Sequence, residues 1–279
     1  MKFTRYIDLK LFEADTLEIL LENEVQNNLP ISFIKNEKGW DTSGWLLFTI
    51  KDDNGGVLLT AACTPPYNIV LYETKNITNN AAVKLLSDEL KNMKITFPGV
   101  LAEQGLARRF AENYTDTFSR KMSMNVMQLD VLNVIEKASG FCRELREDDL
   151  FYMPHWINAF GEDCKAIVNP SVENIRSRIG KNTHYIWENG HPVSSAVNTR
   201  NTENGAGISE VYTPPYFRGK GYASSVVAEL SADLLERGHK FCFLFADAEN
   251  PVSCGIYRKI GFYDLCIFDE IKFGVEADD

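Results

Sequence analysis

Apolar residues along this chain fall into two alternating spacings, one helical and one strand-like. Leu17, Leu20, Leu21 and Val25 lie on one face at helical spacing and predict a helix over 16–25. Apolar runs at 45–50 and 57–62 flank Asn54-Gly55-Gly56, and Asn-Gly supplies the positive φ that a tight hairpin needs. A strand at 68–73, a helix at 81–93, a strand at 95–101, a helix at 103–112 and a long strand at 117–131 complete the first half. A comparable order follows: a short strand at 143–145, then a helix at 147–160 with acids in its first turn, where the helix dipole favours them. A hairpin, 183–187 and 192–197, turns at Asn189-Gly190. Then come a strand at 207–213, a helix at 222–237, a strand at 240–247, a helix at 251–259 and a strand at 265–273.

The repetition predicts two α/β units of mixed α+β type, residues 1–135 and 136–279, each a twisted mixed sheet flanked by helices. Thr-Pro-Pro-Tyr occurs at both 64–67 and 213–216. In this register the two copies fall on different elements, so the match is either chance or a sign that the register is off by one strand.

Composition narrows the function. Lys plus Arg total 29 against 39 Asp plus Glu, a net charge of −10. That argues against unspecific binding to nucleic acid or to acidic membranes. The six cysteines form no CxxC and the four histidines no HExxH, so no metal site is expected and the cysteines read as buried packing residues. The first fifteen residues carry charges where a leader peptide needs an apolar run, and no stretch is long and apolar enough to span a membrane. A cytoplasmic protein, monomer or homodimer, is expected.

The chemistry concentrates at 208–224. A strand runs into Pro214-Pro215, which ends ladder pairing, and Arg218-Gly219-Lys220-Gly221 then opens a helix whose apolar face carries Val226, Val227, Leu230 and Leu234. The first turn of a helix presents unpaired N–H donors and a partial positive charge, and glycines let a phosphate approach closely. A diphosphate is the natural guest. The segment is neither GxxxxGK[ST] nor GxGxxG after an N-terminal strand; by itself a short glycine pattern is also compatible with an ordinary turn.

Arg218-Gly219-Lys220-Gly221-Tyr222-Ala223 matches the Q/R-x-x-G-x-G/A motif, and downstream Asn250 is followed seven residues later by Tyr257 and then by Gly261-Phe262. In these two motifs the sequence resembles the GCN5-related N-acetyltransferase (GNAT) superfamily, over about 141–273, closest to its FR47-like and glycine N-acyltransferase branch. The resemblance implies an N-acetyltransferase that uses acetyl-CoA as acyl donor and a small-molecule or amino-acid-like amine as acceptor. It implies that Val211, Tyr212 and Thr213 hydrogen-bond the pantetheine arm and that Arg218, Gly219, Lys220, Gly221, Tyr222, Ala223 and Ser224 cradle the pyrophosphate. Asn250 and Ser253 would contact the cofactor from the other side, and Tyr257 would protonate the departing thiolate.

Acyl transfer also needs an oxyanion donor and a base. A backbone N–H near Val211 or Tyr212 suits the first role, an effect often worth roughly 3 kcal/mol. Glu210 is the candidate base, placed by strand alternation on one face with Tyr212 and Ile208, though a solvated strand carboxylate would look the same. His184 and His191 are weaker candidates because they sit at hairpin ends, where surface histidines are common. Cys254 falls near the thioester and is a candidate for alkylation.

In the first half the corresponding segment, 68–80, has no glycine pair and carries Glu73, so only the second half is expected to keep a CoA loop. The first half would then shape the acceptor cleft or buttress its neighbour, or be an unrelated α/β domain. Two other functions stand beside acetyl transfer: a non-catalytic acyl-CoA-binding regulatory module, and an aminoacyl-tRNA-dependent peptide ligase built of similar tandem halves.

Overall fold

The computed structural model describes residues 1–35, 41–74 and 78–274. The chain divides into two compact units, residues 1–126 with 265–279, and residues 127–264. The last strand clusters with the first unit, whereas the sequence pattern placed it with the second half.

The first unit begins with β1 (Lys2–Tyr6), α1 (Leu9–Leu21) and α2 (Asn28–Lys35). It continues with β2 (Leu46–Lys51), β3 (Val57–Cys63), β4 (Ile69–Glu73), α3 (Asn80–Asn92), β5 (Gly99–Glu103) and α4 (Gln104–Tyr114), then enters β6 (Phe118–Leu129). Alternation in β2 explains the layering. Phe48 and Ile50 point into the core beneath α3 and α4, while Leu47 faces the core beneath α1 and α2. Strand β1 and helix α2 escaped sequence reading. The former is a five-residue edge strand that carries Lys2 and Arg5, and the latter, which contains Pro30, follows α1 after only a short turn.

The second unit contains β7 (Phe141–Glu144), a 3-10 turn (Glu147–Phe151), α5 (Met153–Cys164) and the short α6 (Val172–Arg176). Then come β8 (His184–Glu188), β9 (Pro192–Thr199), β10 (Gly205–Tyr212), α7 (Tyr222–Glu236), β11 (Phe241–Asp247) and α8 (Pro251–Ile260). The final strand, β12 (Tyr263–Phe273), begins here and passes into the first unit. In spatial order the first unit runs β1-β2-β3-β4-β5-β12 and the second β7-β8-β9-β10-β11. Antiparallel neighbours in each lead to one parallel pair, β4 with β5 and β10 with β11. The repeat expected from the sequence is therefore present. The two Thr-Pro-Pro-Tyr copies do fall on different elements, one in the β3–β4 connection and the other after β10.

In the second unit α7 and α8 cover one face, packing Val226, Val227, Leu230, Leu234, Cys254 and Ile260 over Ala206, Ile208 and Leu244. Helix α5 covers the other, with Met153 and Ile157 against Leu145, Ile175 and Ile186. Its seat on the sheet is fixed by a buried carboxylate. Asp149 accepts from the Arg143 guanidinium at 2.7 and 2.8 Å, from the Tyr152 hydroxyl at 2.5 Å and from the Arg146 amide at 2.7 Å. Arg143 also reaches the Glu188 carboxylate. Burial alone would raise the Asp149 pKa, but these donors outweigh it and hold the group below the usual aspartate range.

A folded-state value below the unfolded one means that the stabilisation is complete above the unfolded-state pKa. It is lost as pH falls through the folded one. Asp149→Asn should therefore cost about 3 kcal/mol in urea unfolding at pH 7, the cost of breaking a buried ion pair. The gap between variant and wild type should narrow as the pH drops below the ordinary aspartate range; a gap independent of pH would assign the loss to packing instead.

Candidate functional site

Strands β10 and β11 pair in parallel only at Gly205–Phe241, Ala206–Cys242 and Gly207–Phe243. Beyond Gly207 they part, although β10 runs on to Tyr212 and β11 to Asp247. On the other side, β10 keeps its pairing to β9 through a bulge: Ser209 faces Val197 and Tyr212 faces Ser195, with Glu210 and Val211 inserted between. Glu210 takes a φ of +48°, the left-handed region a non-glycine residue enters at a cost of roughly 1–2 kcal/mol.

The bulge corrects one expectation. Simple alternation puts Glu210 beside Ile208, yet Ile208 lies in the core beneath α7 while Glu210 lines a crevice beneath α5. The extra residue turns the carboxylate onto the opposite face, together with Tyr212, and leaves Val211 packed toward the α7 side. There the Glu210 carboxylate accepts from Arg178 at 2.6 and 3.3 Å. No sequence pattern marks Arg178, which sits between α6 and β8.

Helices α7 and α8 both start at the carboxyl ends of the parted strands, where open α/β sheets bind ligands. Gly219 and Gly221 have φ of +77° and +81°. A Cβ at Gly219 would meet nothing within 4 Å, and one at Gly221 only the Ala138 methyl at 3.7 Å. Gly221 is the N-cap of α7 and no side chain caps that end. The amides of Tyr222, Ala223 and Ser224 precede the first intrahelical bond, Ser225 N–H to Gly221 at 3.0 Å. This loop fits an anion: open backbone, helix dipole and the exposed Lys220 beside it. Arg218 is already engaged, donating to the Thr213 carbonyl at 2.9 Å and to Asp163 at 2.6 Å.

On the facing helix, Asn250 caps α8 by accepting from the Ser253 amide at 3.0 Å. Tyr257 is buried, edge-on to Phe262. Burial raises its phenol well above the ordinary tyrosine value, with smaller contributions from Cys164 and Cys254. Cys254 is 2% exposed and donates to the Asp247 carbonyl, so the expected access for alkylation is absent. Among the other cysteines, burial lifts the Cys242 thiol to about 12 and Cys164 to about 11.

The crevice on the α5 side is a closed seam with no room for a water molecule, walled by Met153, Trp156, Ile157 and Phe160 from the helix. Opposite them stand His184, Ser195, Glu210 and Tyr212. His184 departs from the surface position expected of it. It is 1% exposed, because β8 lies inside the sheet and α5 covers this face. His191 is exposed, its ring 5.1 Å from Phe217.

The first unit shows the same parting of a parallel pair with a different outcome. Strands β4 and β5 pair at Ile69–Val100 and Val70–Leu101, but the end of α3 is closed. Asn79 caps it through Ala82, and Glu73 accepts from the Asn79 amide at 2.6 Å and from Arg109 at 2.5 Å. A carboxylate of the chain itself sits at the helix start. Residues 75–77 of the segment compared with the glycine loop lie outside the described residues.

Comparison with solved structures shows that this chain shares the fold of acetyltransferases of the GCN5-related type. A GCN5-related N-acetyltransferase from Sphaerobacter thermophilus matches with a TM-score of 0.67 at 16% identity, covering 98% of this chain and 97% of that one. An acetyltransferase of the GNAT family from Colwellia psychrerythraea matches with 0.63 at 12%, covering 98% and 99%. A tandem GNAT protein from the clavulanic acid biosynthesis pathway matches with 0.59 at 10%, covering 99% of both chains. Within the sequence, residues 188–268, which hold both the glycine loop and the Asn250–Tyr257 segment, match the family described as FR47-like protein. No curated protein matches the sequence.

Burial, and then the positive Arg178, push the His184 imidazole down to about 3. Between that value and the unfolded-state value of about 6.5, only the unfolded chain takes up the proton, so stability falls as pH falls, by up to about 1.4 kcal/mol per pH unit. Wild type should lose more stability than His184→Leu between pH 7 and pH 5 in urea titrations. Equal losses would mean the ring is protonated in the fold.

Proposed function

We propose that this chain is an acetyl-CoA-dependent N-acetyltransferase acting on the amine of a small-molecule or amino-acid-like acceptor, with its donor site in the second unit. One observation carries the reading: the uncapped start of α7, with two glycines at positive φ facing open space, stands beside strands that part after Gly207. The amides from Gly219 to Ser224, with Lys220, hold the pyrophosphate, while Arg218, bound to the Thr213 carbonyl and to Asp163, braces the loop. The freed backbone of Val211, Tyr212 and Thr213 holds the pantetheine arm, and Asn250 and Ser253 close the other side.

Acetyl-CoA, when bound, supplies an acyl group activated as a thioester. The chain's own groups do the rest. An amide at Val211 or Tyr212 hydrogen-bonds the carbonyl oxygen where negative charge develops. Glu210, on the α5 side of the same strand, takes the proton that the attacking amine must lose, while Arg178 fixes the orientation of its carboxylate. The new N–C bond forms as the C–S bond breaks, and Tyr257 gives its phenolic proton to the sulfur. Its raised pKa keeps that proton in place at neutral pH.

Titration calorimetry should show one acetyl-CoA site per chain, and Gly221→Asp should weaken it at least about 100-fold, because a side chain and a negative charge enter the anion site. An unchanged affinity would place the donor elsewhere, and absence of heat at millimolar acetyl-CoA would overturn the reading altogether. Tyr257→Phe should leave donor affinity within about threefold and lower kcat by roughly 100-fold, the usual size of a general-acid contribution. A variant with full turnover would remove Tyr257 from the chemistry.

A further inference from the structure

One guanidinium of the second unit has no anion to meet. Arg200 follows β9, half-buried, and its side chain forms no hydrogen bond or ion pair with any described residue. Its Nε is shut off from solvent without a partner, whereas the two terminal nitrogens are not sequestered in this way and open to solvent. Burial draws its pKa below the ordinary arginine value and the charge of Glu210 opposes that, but a guanidinium remains a cation at neutral pH. A charge taken partly out of water with no counter-ion is unfavourable. The backbone is unfavourable too, with a φ of +53°. A local brace holds it: the Asn198 and Asn201 carboxamides on either side donate to each other at 2.6 and 3.1 Å, and Asn198 also donates to the Gly207 carbonyl at 3.0 Å.

The guanidinium carbon lies 5.8 Å from the centre of the Phe245 ring. Phe245 is two residues past Phe243, where β11 stops pairing with β10. Alternation turns it away from Leu244 and Ala246, which lie beneath α7. Arg200 therefore presents its charge at the opening of the sheet, on the face opposite α7. Glu210 stands at the same opening on the same face, close enough for its charge to bear on Arg200 yet paired to Arg178 instead. Arg178 and Glu210 neutralise each other, so Arg200 leaves the opening with one positive charge in excess. The side chains of that pair keep 19% and 18% of their surface exposed. A ligand can thus approach from the mouth of the opening and needs no part of the closed seam beneath α5. A simple amine would have a partner in Glu210 and leave Arg200 unmet. A molecule with both an amine and a carboxylate meets both, the carboxylate matching the planar fork of the guanidinium.

We propose that Arg200 selects the acceptor by binding its carboxylate, so that the acceptor is an amino acid whose amine lies at Glu210. This rests on the acetyl-transfer reading for the placement of the amine. A substrate without the carboxylate leaves a desolvated charge unpaired and is rejected for that reason.

The test assays each of the common amino acids beside its own carboxamide, which keeps the amine and the side chain and removes only the negative charge. The exchange by itself favours the amide, whose amine is the less basic. Wild-type kcat/KM should nevertheless favour the amino acid by roughly 30-fold or more for the best pair. Arg200→Met, which removes an uncompensated charge and should not lower the Tm, should bring that ratio to within about threefold. Arg200→Lys, which keeps the charge and loses the fork, should retain part of the preference. Equal rates across all pairs in wild type, or a preference that survives Arg200→Met, would overturn the proposal. A binding arm does not depend on turnover. In protein labelled with nitrogen-15 at arginine, the Nε–H signal absent from Arg200→Met should move on addition of an amino acid and stay in place with its amide. Inorganic phosphate at the same concentration should move it less; an equal shift would make this a general anion site and sink the acceptor assignment. If the signal stays still with every amino acid the proposal fails, whether or not acetyl-CoA binds. If it moves with amino acids while acetyl-CoA gives no heat, the carboxylate site stands and it is the acetyl-transfer reading that fails.

Discussion

The second unit is organised around one strained turn of backbone. At Glu210 the chain adopts a left-handed conformation in the middle of a strand, and everything chemical in the unit follows from that residue. The bulge lets β10 stay paired to β9 while it leaves β11. Parting the strands frees main-chain groups that a regular sheet would consume. The same turn carries the Glu210 side chain across the sheet, where Arg178 receives it. A non-glycine residue at positive φ is unfavourable by itself. The ion pair with Arg178 and the packing of Val211 and Tyr212 on opposite faces hold it there.

The two units show how one topology can keep or lose an anion site by small changes. Both have a parallel pair that parts early, followed by a helix at the carboxyl end of the first strand. In the second unit that helix starts at a glycine with nothing capping it. In the first it starts behind Asn79, and Glu73 and Arg109 complete the electrostatics internally. A helix end satisfied by its own carboxylate gains local stability and has little left to offer a ligand. In the sequence Glu73 counted only as a sign, with the missing glycine pair, that this half keeps no CoA loop. The structure shows it to be more specific than that, a resident anion in place of a visiting one.

What could be read from the chain depended on how local the determinant was. Helix α7 and its loop were legible because glycines, prolines and an apolar stripe all lie within 208–234. The hairpins were legible because Asn54-Gly55 and Asn189-Gly190 carry their own turn chemistry. Helix α5 was predicted as part of one helix over 147–160 with acids in its first turn, but that first turn is a separate 3-10 segment in which Asp149 binds Arg143 of strand β7, a contact local sequence does not encode. The face of Glu210 was misread because alternation assumes a regular strand, and a bulge has no reliable signature in one sequence. His184 was misread for the complementary reason. A hairpin end tells where a residue sits along the strand and nothing about which helix lies over it. Arg178, in an irregular stretch, offered no pattern at all.

Among the departures from local rules in the second unit are a strained Glu210, an uncapped α7 and an unpartnered His184; Lys165, Asn182 and Arg200 also take positive φ, and Thr199, Arg200 and Ser231 also keep a buried polar atom without a partner. Two of them cost free energy that an ordinary substitution would recover, a glycine at 210 and a leucine at 184, whereas at 221 the φ of +81° itself requires glycine. The first lies on the strand between the other two, with the bare helix start on one face and the bare imidazole on the other. Glu210 and the bare start of α7 are the two that meet where β10 leaves β11, so the opening of the sheet, and not the wider set of departures, is what supports the proposed donor site.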